Sequence, residues 1–572
     1  MALFIPTKTD ELKLWCREIV DECMASATER GMVYTRAAQY FYQGSYDSRA
    51  AIFNKCNGFV KKLAGYLMQP DNVRFNLVYN DSETENILER AQLASQILSA
   101  DYRQSDSDLV FAGAVIWSLI NGCSILKHRP IGQGFQINPV HPQNFGVLSE
   151  TICGIEEQEA LCHVSYPTLS RLRAMLEEWG VPNVGELMRH IMEAGTKDRD
   201  EEQDSYFHQI VVGGLQPLGN IGEAPSAAGI VNVFPVPTPW KPNKQISRTV
   251  KFCELWIKDI EREGDYTTLQ FIYPDVIIQG KHERQNLSKI PGRSSFIKVQ
   301  AEETPGYFWG RSVIADIQML QDLVNKRLRD IKILWDRNVN SPKAMSGFTS
   351  VTEEMYFKII SEGGFLADPN PNAKVQDLSE PPQQGYLEEL QFIWQMFDEA
   401  AGFSPILSGQ GESSVRAGVH AQTLVRTSSP RLIDQAARIE RQLAESGYLA
   451  FRLMQAMDAT IYRTDDNGIE FRLAQMPDGF QVEVDSHSAS PAFAEDNRQI
   501  AVALARAGAV DAEDLIHMLH PPGAELLLSR LRQRKKAQAE AAQQEKQEQL
   551  MRDVIGLPEH RQQSGQAGRR RG

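Results

Sequence analysis

The stretch Trp309–Pro342 reads WGRSVIADIQMLQDLVNKRLRDIKILWDRNVNSP. Val313, Ile317, Leu320, Val324, Leu328, Ile331 and Trp335 recur every three or four residues, so they share one face of a helix. Ser312 suits the N-cap, and Asp316 puts a negative charge in the first turn, where the helix dipole favours it. Pro342 lacks an N–H and pushes Ser341 towards extended geometry, which ends the helix. From Val313 to about Asn338 such a helix is about 39 Å long. Lys326, Arg327, Arg329 and Lys332 form a basic cluster on its second half. Taken alone, this is an amphipathic core helix with a solvated face.

The chain beyond Pro342 changes that reading. Residues 343–384 are short and mixed: a small helix at Thr352–Ser361, Gly363–Gly364, a strand around Phe365–Leu366, then DPNPN and SEPPQQG. A second helix follows, YLEELQFIWQMFDEAAG, with Glu388, Glu389, Asp398 and Glu399 and no basic residue. The next segment, FSPILSGQGESSVRAG, is rich in glycine and serine and carries Gln410, Glu412, Ser413, Ser414 and Arg416. A long helical pattern then runs from about Val419 to Asp458, with Ser429 as N-cap and Pro430 restarting it after a kink. Two helices flanking a compact excursion make a hairpin stalk with a small head. A lone subunit offers such a stalk little interior, which favours packing against copies of itself.

Upstream, helices are expected over 8–30, up to Met68, over 83–103, in the apolar stretch from Leu109 and over 166–194. Strands are expected at Val73–Leu77, in SILKHR and FQINPV, at Thr249–Ile257 and at Thr267–Gln279. The acidic run 197–204 reads as a solvated loop, and 213–247 as a long Gly/Pro/Ala-rich connection. Downstream, strands are expected at Thr460–Arg463, Ile469–Leu473 and Phe480–Val484, then helices at 491–507, 511–519 and about 523–550. The tail beyond Leu557 has too few apolar residues to fold. The fold class is α+β, mostly helical.

At 572 residues, two to four domains or subdomains are expected, and 42% hydrophobic with 23% charged residues is ordinary globular composition. A net charge of −14 and a pI near 5.4 do not suit a protein that grips DNA tightly, because phosphate neutralisation needs basic surface. The seven cysteines are scattered without a CxxC pair, which disfavours a disulfide framework or zinc ribbon and fits a reducing compartment. The N-terminal apolar run is too short for a signal peptide, and no run is long enough to span a membrane.

Motifs for catalysis are missing. There is no GxxxxGK[ST], no HExxH and no GxSxG. His517 and His520, with Asp514 nearby, make at most half of a metal site. Glu388–Glu389 and Asp398–Glu399 read as a solvated or inter-subunit face, and Cys123 as a small buried residue. No cofactor is expected, and no enzyme.

In pattern and element order the chain resembles the bacteriophage portal proteins over roughly residues 40–530. YFWGRSVIADIQMLQDLVNKRLRDI (307–331) is similar to the first stem helix of that family. DEAAGFSPILSGQGESSVRAGVHAQTLVRTSSPRLIDQAARIERQLAESGY (398–448) resembles the end of the second stem helix, the tunnel loop and the kinked wing helix. NKCNGFVKKLAGYLMQPDNVRFNL (54–77), INGCSILK (120–127) and INPVHPQNFGVLSE (137–150) resemble the N-terminal wing.

The resemblance implies a homo-oligomeric ring, usually a dodecamer, at one capsid vertex of a virion assembled in host cytoplasm. Double-stranded DNA would pass through it. Terminase large subunit and then a head–tail adaptor would dock on it, beside major capsid and scaffolding proteins, with no membrane involved. By position, 1–308 would be wing, 309–338 the first stem helix, 339–384 the clip and 385–401 the second stem helix. Residues 402–417 would be the tunnel loop, 418–488 the long wing helix and strands, 489–550 the crown, and 551–572 a disordered basic tail. An acidic subunit suits a conduit, since many strong phosphate contacts would hold sliding DNA fast. The acidic second helix is expected to face the cluster Lys326–Lys332 of a neighbouring copy. The alternatives are another phage head or connector protein without a channel, and a nucleic-acid enzyme.

Overall fold

The computed structural model describes residues 3–42, 53–70, 73–79, 87–132, 134–193, 250–274, 276–278, 285–339, 343–362, 368–377, 385–400, 430–457, 472–476, 479–484 and 502–508, with scattered positions from 510 to 535. It is mixed helix and strand, mostly helical. The chain divides into two compact units, Met1–Ala492 and Phe493–Gly572. In the second, the described residues include a helical turn at 502–506 that ends at Gly508 with φ +70°.

The first unit opens with α1 (Thr9–Cys23), α2 (Ala27–Tyr42) and α3 (Lys55–Leu67), then β1 (Phe75–Tyr79), α4 (Ile87–Gln104) and α5 (Ser107–Asn121). β2 (Ser124–Ile131) and β3 (Gly134–Val140) follow as a hairpin, and β9 (Phe296–Val299) pairs with the other edge of β2. A five-stranded antiparallel sheet has the order β4 (Phe145–Val147), β5 (Ala160–Ser165), β6 (Phe252–Lys258), β7 (Tyr266–Ile272) and β8 (Val276–Ile277).

Both faces of this sheet are buried, so its strands read as continuous runs rather than alternation. Cys162, Cys253, Leu255 and Phe271 pack on Leu12, Cys16 and Val20 of α1. Leu161, Trp256 and Tyr266 pack on Phe296, Phe308 and Trp309 behind it. Burying β6 on both sides also buries Glu254. Its charge is met by Lys127 Nζ at 2.6 Å and Trp256 Nε1 at 2.7 Å, and these partners hold its carboxyl below the usual range despite burial.

The helical pattern over 166–194 is two helices, α6 (Leu169–Glu178) and α7 (Val184–Glu193). Gly180 at φ +65° ends the first, a conformation a glycine adopts without strain. The quoted stretch forms α8 (Val313–Val339). Then come β10 (Lys343–Ser346), α9 (Glu353–Glu362), β11 (Lys374–Asp377), α10 (Gly385–Ala400), α11 (Pro430–Ala456) and β12 (Phe480–Val484). β12 pairs antiparallel with β1, Phe75 against Val484. The strand expected to end at Leu473 does not do so: Leu473–Gln475 is a short 3-10 turn, and 458–471 lie outside the described residues. Phe365–Leu366 and the interval 194–249 also lie outside them.

Candidate functional site: a helical hairpin and its root

α8 begins where three segments cross. Arg30 of α2 is buried, with its guanidinium stacked 3.6 Å from the Trp309 ring centroid. Glu150 Oε1 accepts from Arg30 Nη1 at 2.8 Å and from Trp309 Nε1 at 2.7 Å, and Ser26 Oγ donates to the same oxygen. The backbone passes so closely that a Cβ on Gly122 would lie 2.9 Å from Arg311 N and Trp309 O. Gly310 has φ +69° and faces Gly122 O at 2.9 Å on the same construction. Only glycine fits both positions. Ser312 then accepts from Ile314 N at 3.1 Å, the N-cap bond.

Two turns on, α8 supplies the cap of α3. Gln321 Oε1 accepts from Lys55 N at 3.0 Å and Cys56 N at 3.1 Å, two N–H groups that have no partner within their own helix. Gln321 Nε2 donates to Phe53 O at 2.7 Å and to Asn325 Oδ1 at 3.0 Å. Tyr40 Oη donates to Asp322 Oδ2 at 2.9 Å. Burial, helped by the Asp322 charge, pushes the Tyr40 phenol up to about 12, so it stays a donor.

α10 returns alongside α8. Leu390, Ile393 and Phe397 are its buried positions, and its Trp394 and Phe397 rings lie about 5 Å from Lys55 Nζ at the start of α3. Arg327 Nε and Nη2 both donate to Glu389 Oε1, at 2.9 and 2.7 Å. Arg327 Nη1 reaches Asp330 at 3.2 Å. The sequence reading assigned this acidic–basic pairing to neighbouring copies. For Arg327 and Glu389 it forms within the chain, because the antiparallel hairpin already brings the two faces together.

Lys326, Arg329 and Glu388 are exposed and Lys332 is half-buried. Arg329 Nε donates to its own helix, at Asn325 O, 3.3 Å away. Gln410, Glu412, Ser413, Ser414 and Arg416 lie outside the described residues, as do His517 and His520.

The head between the helices is a two-stranded sheet, Lys343–Ser346 against Lys374–Asp377, with α9 between the strands in sequence. Asp368 accepts from the N and Oγ of Ser350, from Thr349 N and Oγ1, and from Asn370 N, all at 2.9–3.1 Å. These donors hold its carboxyl well below the usual carboxylate range.

Apolar side chains outnumber their partners along the hairpin. Trp335, read as part of the buried stripe, is 56% exposed, since the stripe runs past its cover. Met319 (74%), Leu323 and Ile333 on α8 and Leu387, Phe392 (61%), Trp394 and Met396 on α10 are also exposed. Of the stripe, Val313, Ile317, Val324 and Ile331 are buried and Leu320 and Leu328 half-buried, and nothing in the sequence marks where the covering helix stops. The roles of Gln321, Arg30 and Glu150 were missed because each acts on residues more than a hundred positions away.

Among the described residues no group of three or more His, Cys, Asp or Glu could hold a metal ion. Burial pushes the thiols of Cys23, Cys56 and Cys123 up to about 12 and takes His128 down to about 3 and His141 and His163 to about 4. These side chains are therefore neutral at pH 7.

No family model matches the chain, and no curated protein matches it. Among solved structures it is similar to a chain of the virion of a native gene transfer agent particle, at 12% identity and TM-score 0.36, covering 81% of this chain and 89% of that one. A chain in the neck of the native particle, computed with C12 symmetry, matches at 10% and 0.34, covering 81% and 88%. One in the neck of the empty particle, computed with C6 symmetry, matches at 12% and 0.37, covering 81% and 89%. Likeness at this level shows neither a family nor a role.

Proposed function

We propose that this chain is the subunit of a ring at one vertex of a phage-like capsid, a passage for double-stranded DNA and a docking platform rather than an enzyme. The observation that carries the proposal is the hairpin α8–α10. Its root is buried and joined by the hydrogen bonds of Arg30, Glu150, Trp309 and Gln321, while Met319, Leu323, Ile333, Trp335, Phe392 and Met396 along the two helices stay exposed. A monomer in water gains nothing by exposing so much apolar surface on one hairpin. Copies packed side by side would cover it. The exposed Glu388 and Glu399 of α10 have no cation on their own helix, whereas α8 exposes Lys326 and Arg329 on its middle turns and Asp316 and Asp336 towards its ends. Such faces fit head to tail, and head-to-tail contacts that close make a ring.

On this reading, and by the sequence resemblance, α8 and α10 are the stem, the head is the clip that meets terminase and then an adaptor, and residues 402–417 are the tunnel loop. The net charge of −14 supports passage without capture. Negative-stain images of the purified protein test the reading: rings with a hole of duplex width support it, whereas monomers or solid particles favour a connector protein without a channel. Lys326→Glu with Arg329→Glu is expected to weaken assembly at physiological salt and leave the subunit folded. Rings formed as well as before would remove these charges from the interface.

A further inference from the structure

We infer that Arg431, in the first turn of α11, is the positioning residue that fastens the three helices at the root of the hairpin into one body. Its guanidinium meets three acceptors on three separate segments. They are the Glu302 carboxylate just after β9, Asp316 Oδ2 in the first turn of α8 at 3.8 Å, and the backbone oxygen of Ala400, the last residue of α10, at 3.4 Å. Asp316 is gripped from its other side by Arg311 Nη2 at 2.6 Å, and Glu302 by Gln435 Nε2 at 3.4 Å. The third acceptor is a backbone carbonyl rather than a carboxylate. Nη2 faces both carboxylates, Glu302 by a hydrogen bond and Asp316 as an ion pair, while Nη1 donates to Ala400 O; a planar fork holds these two nitrogens apart, whereas a lysine ammonium is a point charge on a flexible stem.

The neighbouring turns of α11 extend the seam. Arg438 pairs with Glu303 at 2.9 Å, and the Gln442 amide exchanges two hydrogen bonds with the backbone of Gln300. These are side contacts to one segment, and Arg431 is the member that also reaches α8 and α10. The Arg431 and Glu302 side chains are 40% and 48% exposed, which leaves the junction open to salt. This inference concerns the subunit and does not rest on ring formation.

The test is a spin-label distance between Glu399→Cys on α10 and Ala437→Cys on α11 in the full chain, with the half-exposed Cys153 replaced by Ser. The six other native thiols are buried. The parent should give one narrow distance at low salt, and Arg431→Ala a broad distribution. Arg431→Lys should broaden it too, because charge alone does not supply the fork. Raising salt to about 0.5 M should broaden the parent. If Arg431→Ala fails to fold, the lysine variant and the salt series decide. Distributions as narrow as the parent's in Arg431→Lys, with no effect of salt, would overturn the inference. Loss of rings would leave it standing.

Discussion

Along the apolar stripe of Val313–Val339 the cover thins from the first half to the second, while Met319 and Leu323, off that stripe, are exposed in the first half as well. In the first half even the polar residues are buried: Gln321 and Asn325 are enclosed, and both are engaged in the cap of α3. In the second half apolar residues are out: Ile333 and Trp335 are half-exposed or more, and Ile331 is the last buried residue of the stripe. The pattern of the helix is similar throughout. What differs is the number of elements opposite it: α2, α3 and α5 at the root and chiefly α10 beyond. Burial along an amphipathic helix is therefore set by its neighbours, and periodicity states only which face is available.

Three substitutions break or sharpen this contrast. The largest effect belongs to the root. Trp309→Ala removes a buried ring, the stacking surface of Arg30 and one donor to Glu150, and should cost about 3–5 kcal/mol in urea unfolding. A cost under about 1 kcal/mol would mean that the root is not the anchor.

The second concerns the cost of burying polar groups in the body. Glu156 accepts from Ser294 Oγ and Ser294 N at 3.2 and 3.3 Å, yet burial raises its carboxyl from 4.5 to about 7. A folded-state value above the unfolded one means that the native state holds the proton longer. The penalty is absent below pH 4.5, grows as pH rises towards 7, and is complete above it. Glu156→Gln should therefore raise stability above pH 7, by at most about 3 kcal/mol, and be neutral near pH 4.5. Thermal melts at the two pH values check the sign, and a gain at low pH alone would reverse the argument.

The smallest change in subunit stability is expected at the far end. Trp335→Ser should stay within about 0.5 kcal/mol, because the ring is already in water. On the ring reading the same variant should lower assembly yield. A large loss of subunit stability would show that Trp335 is covered within the chain after all.

The chemistry of single elements was legible. Ser312, Asp316 and the apolar stripe announced α8, and the helical pattern beyond Pro430 announced α11, because caps and periodicity act within a few residues; the part of that pattern from Val419 to Ser429 lies outside the described residues. The acidic helix and the basic cluster were visible too, but Arg327 and Glu389 meet inside one chain, which needs the hairpin to be known. The glycines at 122 and 310 stood in the sequence without their reason, since a backbone crossing between positions far apart leaves no local mark. The same holds for Gln321, an ordinary polar residue on a helix until the N-terminus of α3 is set against it.

By itself the sequence determined the long helix 313–339, the helix without a basic residue that follows the small head, and an acidic chain with no catalytic motif. Those follow from side-chain chemistry at short range. Only the tertiary structure decided which faces are covered, where α8 stops being buried, and that one arginine at the head of α11 reaches three segments. Such contacts join residues far apart in the chain, and their energies depend on burial, which no stretch of sequence carries alone.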